Sequence, residues 1–441
     1  MASQRVLVVG TTPDYIAHID TRYPGRALFL TDPVLRRASR EPAPDEMSEL
    51  LVDLMQSDRV MSLLTEHLSH YGLELSGIVC YDCEWLTLAA QLAARLRLPY
   101  PALPAVRLSR SKYLTKQRWI EHGIPCPAVK LVAATDDALA FARKVGGEIV
   151  LKPLTGSGSE LTFHCEDQAR ILQAMRIIAK GLTQRGSLPM YQPDNESTAY
   201  IDPRSAVVAE AFIAGNEYSA DILLDGAHFE IIRIARKYRG DDYPFGTTLS
   251  YELPASDHEL HDYPQLADIL RRAAESLGLQ RSLCMVDFII GSEGPTLIEL
   301  TPRIGGDCLP PLIEMSCGLD TIALALDFAE GKTITLPPAD RWRHMIGRRL
   351  FAAHAGHIRH IDISRAAADP RVKDIYLKRA PGHRVVLPPK DYDSWLLGHI
   401  LFAPATRPNI IIQADQLASL VKVEMETEDD QKRVSVHPAG R

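Results

Sequence analysis

Strand-like runs at short spacing between residues 206 and 300 constrain the fold most. Five runs there are rich in apolar and β-branched residues, and turns such as DG and SEG separate most of them. Runs joined in this way are typical of hairpins, so we predict one largely antiparallel sheet with a helix over His258 to Leu277 packed among its strands. The runs are AVVAEAFI (206–213), YSADILLDG (218–226), HFEIIRIARKY (228–238), SLCMVDFII (282–290) and PTLIEL (295–300).

The first hundred residues follow a different pattern, in which short apolar runs alternate with helical periods. VLVVG (6–10), ALFLTD (27–32) and GIVCYD (77–82) are such runs, and a helical period covers Met47 to Tyr71. This alternation predicts a βα domain with a parallel sheet. An NAD-dependent oxidoreductase is one alternative, but the first run ends in the lone Gly10 without the full G-x-G-x-x-G, and such a glycine more often makes a tight turn.

Proline-rich and polar segments divide the chain. The connection PYPALP (99–104) marks a boundary, because proline disfavours helix at the residue before it. Residues 181–205 are polar and weakly periodic, which predicts a long loop. The fold class is therefore multidomain, α/β and α+β. The predicted units are an N-terminal βα domain (1–108), a middle domain (109–330, with subdomains 109–205 and 206–330) and a C-terminal α+β domain (331–441) with a polar tail from about 426.

Composition excludes several classes of function. The 441 residues carry a net charge of −7, which argues against a nucleic-acid partner, because backbone binding requires a basic surface. No run approaches the ~20 apolar residues of a membrane helix, so we expect a cytoplasmic protein without a membrane partner. The 7 cysteines fit a reducing compartment. Cys80 and Cys83 form a single C-x-x-C, which lacks the second pair of a zinc site and favours ordinary thiols.

Two carboxylates interrupt apolar strand-like runs. Asp287 lies in CMVDFII and Glu299 lies twelve positions later in LIELTPRIGGD, with a tight SEG turn between them. Adjacent antiparallel strands with this spacing can place both carboxylates side by side, where they repel each other unless a cation lies between them. Each could instead be a buried structural carboxylate. The pair, followed by Arg303, favours a Mg²⁺ site of the kind completed by nucleotide phosphates.

A glycine- and serine-rich loop offers a place for those phosphates. TGSGSEL (155–161) follows the strand-like run EIVLKP and begins three residues after Lys152. Small residues let backbone N–H groups surround phosphate oxygens, and a lysine adds charge, although a plain turn is an open alternative. Lys112 begins a predicted helix from about Ser111 to Gly123, where a cation opposes the helix dipole unless it faces an anion.

The segment AEAFIAGNEYSAD places two glutamates around a turn. Glu210 ends a strand-like run and Glu217 follows seven residues later. An apolar hinge of this kind can present backbone groups to an adenine edge, with a carboxylate beyond it for ribose hydroxyls. Exposed glutamates beside turns are also common, so this segment alone leaves both interpretations open.

Taken in order, these features resemble the ATP-grasp superfamily over about two hundred residues. The run TPRIGGDCLPPLIEMSCGLD is similar to carboxylate–amine ligases of the bacilysin type, which join L-amino acids. ARKYRGDDYPF followed by ELP resembles their substrate-side loop. The resemblance implies an ATP-grasp fold with an N-terminal parallel βα domain and a C-terminal α+β domain. It also implies an ATP-dependent ligase that forms an acyl phosphate, releases ADP and phosphate, and requires no protein nucleophile.

The resemblance also implies roles for individual residues. Lys112 and Lys152 would hold phosphates beneath a mobile lid of Gly156, Ser157 and Gly158, and Ser159 would also bind ATP. The backbone at Ala211 and Ile213 would bind the adenine edge, Glu210 its amino group and Glu217 the ribose. Asp287 and Glu299 would ligate two Mg²⁺ ions, for which Mn²⁺ could substitute. Lys237 would contact phosphate, Arg303 would steady the acyl phosphate, and Gly306 and Asp307 would bind substrate, Asp307 through an ammonium group.

One residue departs from the family pattern. Thr301 stands where the family has asparagine, so its hydroxyl would have to reach the second metal. Small carboxylate and amine substrates are expected. A carrier protein or larger amine as acceptor and a nucleotide-binding protein without catalysis are the alternatives. A homodimer is common among such relatives.

Overall fold

The computed structural model describes residues 3–193, 201–255, 260, 262–406 and 409–426. Four sheets occur in these ranges, and they confirm the mixed α/β and α+β class. The predicted polar tail from about 426 lies almost wholly outside the described residues. None of the described helices combines the length and the apolar character needed to cross a lipid bilayer.

The N-terminal sheet has the strand order β3-β2-β1-β4, and every pairing is parallel. This confirms the predicted βα unit. The helical period predicted from Met47 was wrong at its start, because residues there form a short edge strand before the helix begins. The elements are β1 (Ser3–Val9), α1 (Pro13–Arg22), β2 (Ala27–Thr31), α2 (Pro33–Ala38), β3 (Glu49–Leu51), α3 (Ser57–Tyr71), β4 (Leu73–Val79) and α4 (Leu86–Leu96).

Gly10 makes the tight turn that the sequence suggested. Its φ of +54° lies in the left-handed region, which glycine adopts without strain. A Cβ at this position would lie 2.2 Å from Cδ1 of Trp85. The indole therefore covers the turn at which a dinucleotide pyrophosphate would have to approach.

Residues 129–211 form a second sheet of order β5-β8-β6-β7, covered by two helices. The predicted loop at 181–205 was wrong at its start, because α8 continues to Arg185, and residues 194–200 lie outside the described part of the chain. Ile171, Ile178 and Leu182 pack from α8 onto this sheet. The elements are β5 (Val129–Val132), α7 (Thr135–Val145), β6 (Ile149–Pro153), β7 (Phe163–Cys165), α8 (Gln168–Arg185), a 3-10 turn (Pro189–Tyr191) and β8 (Val207–Ala211).

The largest sheet is antiparallel and has the order β13-β12-β9-β10-β11-β14-β18-β16. Four of the five predicted strand-like runs lie in it, but the first run forms β8 of the other sheet, and β11 was not predicted. The strands are β9 (Asn216–Asp225), β10 (His228–Arg239), β11 (Thr248–Leu253), β12 (Arg281–Gly291), β13 (Gly294–Thr301), β14 (Met345–Phe351), β16 (Val372–Leu377) and β18 (Leu396–Phe402).

The remaining elements pack around this large sheet. The helix predicted over His258 to Leu277 covers Leu266–Ser276, and residues 256–259 and 261 are not described. A small three-stranded sheet in the C-terminal part has the order β17-β15-β19. These elements are α5 (Leu103–Arg110), α6 (Lys112–Glu121), α9 (Leu266–Ser276), α10 (Leu309–Cys317), α11 (Thr321–Ala329), a 3-10 turn (Ala339–Arg341), β15 (Gly356–Asp362), α12 (Ser364–Ala367), β17 (Arg384–Val385), α13 (Ile410–Ser419) and β19 (Lys422–Glu426).

A buried ion pair fixes the segment that follows β13. Arg233 donates from Nε and Nη2 to Asp221 at 2.9 and 3.0 Å, and neither side chain is exposed. The same carboxylate accepts from the backbone N–H of Gly305 at 2.9 Å. A Cβ on Gly305 would lie 2.6 Å from Nη2 of Arg233, so only glycine fits this close approach. The pair therefore positions the turn that carries Arg303.

Asp221→Ala should lower the free energy of unfolding by about 3–5 kcal/mol, because it leaves the Arg233 charge buried without its partner. Urea denaturation measures the change. Asp225→Ala on the same strand is the matched control, since Asp225 is exposed and its pair with Arg281 spans 3.3 Å at the surface. The control should cost less than about 1 kcal/mol. Equal losses in the two variants would contradict the assignment.

Asp320 joins the N-terminal domain to α11. Its carboxylate accepts from the amides of Ile322 and Ala323 at 3.0 Å each, which caps α11. The hydroxyl of Tyr23 donates to it at 2.8 Å, and Nε2 of His18 lies 3.1 Å away. Burial alone would raise the pKa of Asp320, but these contacts hold it at about 2.

Asp320→Asn should therefore destabilise the protein by about 2 kcal/mol at pH 7. Because the folded pKa lies below the unfolded value of about 3.9, the charged carboxylate stabilises the fold above pH 4, and this contribution is lost as the pH falls from about 4 to 2. Thermal midpoints of the variant and of wild type, measured between pH 2 and 7, should become equal as the pH falls from about 4 to 2. Asp136→Asn in the first turn of α7 is the control. A difference in thermal midpoint between Asp320→Asn and wild type that does not change with pH would refute the prediction.

Candidate active site

The hairpin of β12 and β13 places the two predicted metal ligands side by side. Asp287 and Glu299 are direct partners in the antiparallel register, as the spacing predicted. Asp287 is 7% exposed, and its Oδ1 has no hydrogen-bond partner among the described residues. Thr301 lies two residues beyond Glu299, and all three side chains line one cavity.

Lysines surround this pair of carboxylates. Nζ of Lys237 lies 2.9 Å from Oδ2 of Asp287, and it also contacts Glu217. Nζ of Lys112 lies 3.6 Å from Oε2 of Glu299. Burial, with the neighbouring Glu299, raises the pKa of Asp287 although Lys237 opposes it. Burial would also raise the pKa of Glu299, but Lys112, Lys152 and Lys237 outweigh it and hold that pKa below its usual range.

The glycine- and serine-rich loop lies against these charges. Nζ of Lys112 donates to the carbonyl of Gly156 at 2.8 Å, so the first residue of α6 does face the loop. The loop is held at both ends: Thr155 donates to the carbonyl of Met190 at 2.9 Å, and Tyr191 donates to Glu160 at 2.7 Å. Ser159 donates to the carbonyl of Gly246 at 2.9 Å. Gly156, Ser157 and Ser159 line the space beside Lys152.

Glu210 lies between two lysines. Its oxygens are 2.7 Å from Nζ of Lys152 and 2.8 Å from Nζ of Lys116. Lys116 is fully buried and donates to the carbonyl of Ile298 at 2.5 Å, and burial lowers its pKa to about 8 against the effect of Glu210. No sequence motif pointed to Lys116. Its position one helical turn after Lys112 was the signal that could have found it.

Apolar side chains and residues 211–213 form the rest of the pocket beside Lys152. The N–H of Ala211 donates to the carbonyl of Ala128 at 2.9 Å, so it is already occupied, whereas Ile213 lines the pocket. Rings of Phe212 and Phe245 lie 6.3 Å apart at its wall. The carboxylate of Glu217 pairs with Lys237 and lies 3.3 Å from Nε of Arg239. The sequence predicts that the nucleotide binds among these residues, so we refer to this space as the nucleotide pocket.

A second cavity of about 680 Å³ adjoins the nucleotide pocket. It lies between the N-terminal sheet, the turn after β13 and the strands β14, β16 and β18. Asp287, Glu299 and Lys237 line both spaces, as do Gly156, Ser157, Ser159 and Gly246. We refer to these residues, which separate the two spaces, as the shared wall.

Arg303 lies in the second cavity, beside that wall. Its Nη1 donates to the carbonyl of Ile304 at 2.6 Å, and its Nε lies 3.1 Å from Sγ of Cys83. Burial would lower its pKa, but Cys83 and Asp82 outweigh it and raise the pKa further above the usual range. The guanidinium therefore stays charged. The free thiols of Cys80 and Cys83 agree with the interpretation of ordinary cysteines.

Asp307 forms an ion pair that the sequence did not suggest. Its Oδ2 lies 2.5 Å from Nε of Arg349 on β14, and its φ is +60°. Gly306 lies next to it, and both line the second cavity. No sequence motif pointed to Arg349, because it is more than forty residues beyond the predicted site. The roles of these residues in binding substrate stay predictions.

Comparison with known proteins agrees with this geometry. The family model described as an ATP-grasp domain matches residues 109–307. D-alanine–D-alanine ligase of Azoarcus sp. (strain BH72) is 29% identical over 53% of this chain and 71% of its own length. Human carnosine synthase 1 is 26% identical over 65% of this chain. The crystal structure of an L-amino acid ligase from Bacillus licheniformis has a TM-score of 0.76 and 16% identity, and the match covers 97% of this chain and 100% of that one.

Residues 109–307 thus match an ATP-grasp domain, as the sequence predicted for this part of the chain. The likeness to the solved ligase concerns the fold, given its low identity. The chain spans 34% of the length of carnosine synthase 1.

Proposed function

We propose that the protein is an ATP-dependent carboxylate–amine ligase that joins amino acids, or an amino acid and another small acid. One observation carries this proposal: the nucleotide pocket and the second cavity share a wall of lysine, paired carboxylates and a glycine- and serine-rich loop. A phosphoryl group at that wall would be reached from one side by ADP and from the other by a substrate carboxylate.

The first step is attack of the substrate carboxylate on the γ-phosphate of ATP, which forms an acyl phosphate and ADP. Phosphoryl transfer needs positioning and charge neutralisation more than covalent chemistry from the protein. Lys112, Lys152 and Lys237 supply positive charge around the shared wall. Lys116 positions Glu210, which in turn holds Lys152. The loop from Gly156 to Ser159 would exclude water from the acyl phosphate.

Asp287 and Glu299, with Thr301 beside them, are the residues that would hold Mg²⁺, or Mn²⁺ in its place. They fit that role, because two facing carboxylates and a buried oxygen without a partner are the oxygen ligands that such a cation prefers. When bound, the cation would neutralise charge on the transferring phosphoryl group.

In the second step the amine attacks the carbonyl carbon and the tetrahedral intermediate expels phosphate. Negative charge develops on the carbonyl oxygen, and a preorganised cation stabilises it most in a site without bulk water. Arg303 is the candidate for this role. The cavity volume of about 680 Å³ is ample for two small molecules, since ligand sites span about 300–1,000 Å³.

Further expectations accompany the proposal. Small free substrates suit the cavity, while the carrier-protein acceptor stays a prediction from the sequence. A cytoplasmic location and a homodimer also stay predictions.

The proposal is tested by incubating the protein with ATP, Mg²⁺ and pooled L-amino acids, and by identifying the nucleotide product. We expect ADP and phosphate whose release depends on the amino acids. AMP with pyrophosphate would mean adenylation and would overturn the proposal. Splitting the active pools identifies both substrates.

A further inference from the structure

One face of the second cavity carries polar side chains in register across three strands. Arg349 on β14 pairs with His399 on β18, and His399 pairs with Tyr376 on β16. Direct partners in adjacent strands project from the same face, so the three side chains form one row. Asp374, two residues before Tyr376, shares that face. All four line the second cavity, and none lines the nucleotide pocket.

His399 is a buried group without a partner. It is 6% exposed, and its Nε2 makes no hydrogen bond within the described part of the chain. Burial lowers the pKa of His399, so the imidazole is neutral and one nitrogen can accept a hydrogen bond. Leaving such a group unpaired is unfavourable, and a ligand with an N–H group would satisfy it.

Two carboxylates beside this row also lack cationic partners. Asp14 in the first turn of α1 and Asp374 on β16 line the cavity, and neither forms an ion pair with any described residue. The nearby cations contact other carboxylates: Arg349 pairs with Asp307, and Lys378 and Arg379 share Asp393. Asp14 and Asp374 are therefore available to accept from a cationic ligand.

We propose that Asp14, Asp374 and His399 bind a positively charged side chain of the amine substrate, so that the enzyme prefers basic amines such as L-arginine or L-lysine. This inference rests on the proposed ligase function. The acid must place its carboxylate at the shared wall, so the row of side chains away from the nucleotide pocket is left for the amine. An ammonium or guanidinium group would donate to the carboxylates and the imidazole. An acidic side chain would be repelled there.

An organic cation fits the hydrogen-bond acceptors at this position. A guanidinium or ammonium needs only directed acceptors, and it gains from the nearby aromatic ring of Tyr376, whose centroid lies 5.3 Å from that of His399.

The experiment compares amines that differ in charge but little in shape. With the acid found by the pooled screen, kcat/KM is measured for L-arginine against L-citrulline and for L-lysine against L-norleucine. We expect the charged member of each pair to be favoured by about 10–100-fold, the range for a charged hydrogen bond in a desolvated site. Asp374→Asn should remove most of that preference, mainly by raising KM for the charged amine. The exposed Asp340→Asn is the matched control and should keep it.

The outcomes separate this inference from the function on which it rests. Amine-dependent ADP formation with equal use of charged and neutral amines would overturn the subsite and leave the ligase standing. A charge preference that Asp374→Asn does not change would also overturn it. Absence of ADP formation with every acid and amine would overturn the ligase function itself.

Discussion

Glu299→Gln is expected to lower the rate of ATP-dependent ligation by about 10³-fold or more while the protein stays folded. The amide keeps the shape of the side chain but removes its charge. Glu299 faces Asp287 in register and lies 3.6 Å from Lys112, so this charge balances the lysines and completes the pair of carboxylates for a divalent cation. Release of ADP measures the loss, and the thermal midpoint reports the fold.

Glu293→Gln provides the matched control. Glu293 is an exposed residue in the turn of the same hairpin, so the variant makes the same chemical change a short distance away. Its rate should equal that of wild type. Near-normal turnover by a folded Glu299→Gln enzyme would refute the metal assignment.

Arg303→Lys is expected to lower kcat by about 10²–10³-fold, with KM for ATP unchanged. Lysine keeps the positive charge but loses the planar guanidinium, which donates to Ile304 from Nη1 and to Cys83 from Nε while Nη2 remains for an oxyanion. The loss should appear in kcat because the interaction strengthens only as charge develops on the carbonyl oxygen.

Steady-state kinetics with saturating acid and amine measure this effect, and the exposed Arg341→Lys is the control. A raised KM for ATP with kcat intact would place Arg303 in nucleotide binding instead.

The local parts of the site could be predicted from the sequence. The strand-like pattern of CMVDFII and PTLIEL and the tight turn between them determine the register of the hairpin. Asp287 and Glu299 were therefore predicted to lie side by side, and they are direct partners in the structure. Lys112 was expected at the first position of a helix, and α6 begins there. In both cases the geometry depends on residues close in the chain.

One error and two missed ion pairs have a common physical origin in long-range packing. The run AVVAEAFI has the same strand-like pattern as the four runs after it, so it was predicted to join their sheet. It forms β8, which pairs with β5 and β6 instead, because strand pairing depends on partners distant in sequence. The ion pair of Glu210 with Lys116 and the pair of Asp307 with Arg349 likewise join separate elements. Residues from three separate parts of the chain line the second cavity. Its position could therefore not be predicted from the spacing of residues within any one segment.

The transfer of a carboxylate oxygen to phosphate tests the central claim most directly. With the acid labelled with ¹⁸O in its carboxylate, attack on the γ-phosphate followed by amide formation must leave one labelled oxygen in the released phosphate. We predict that label in the phosphate. Unlabelled phosphate alongside normal amide formation would contradict an acyl phosphate at the shared wall.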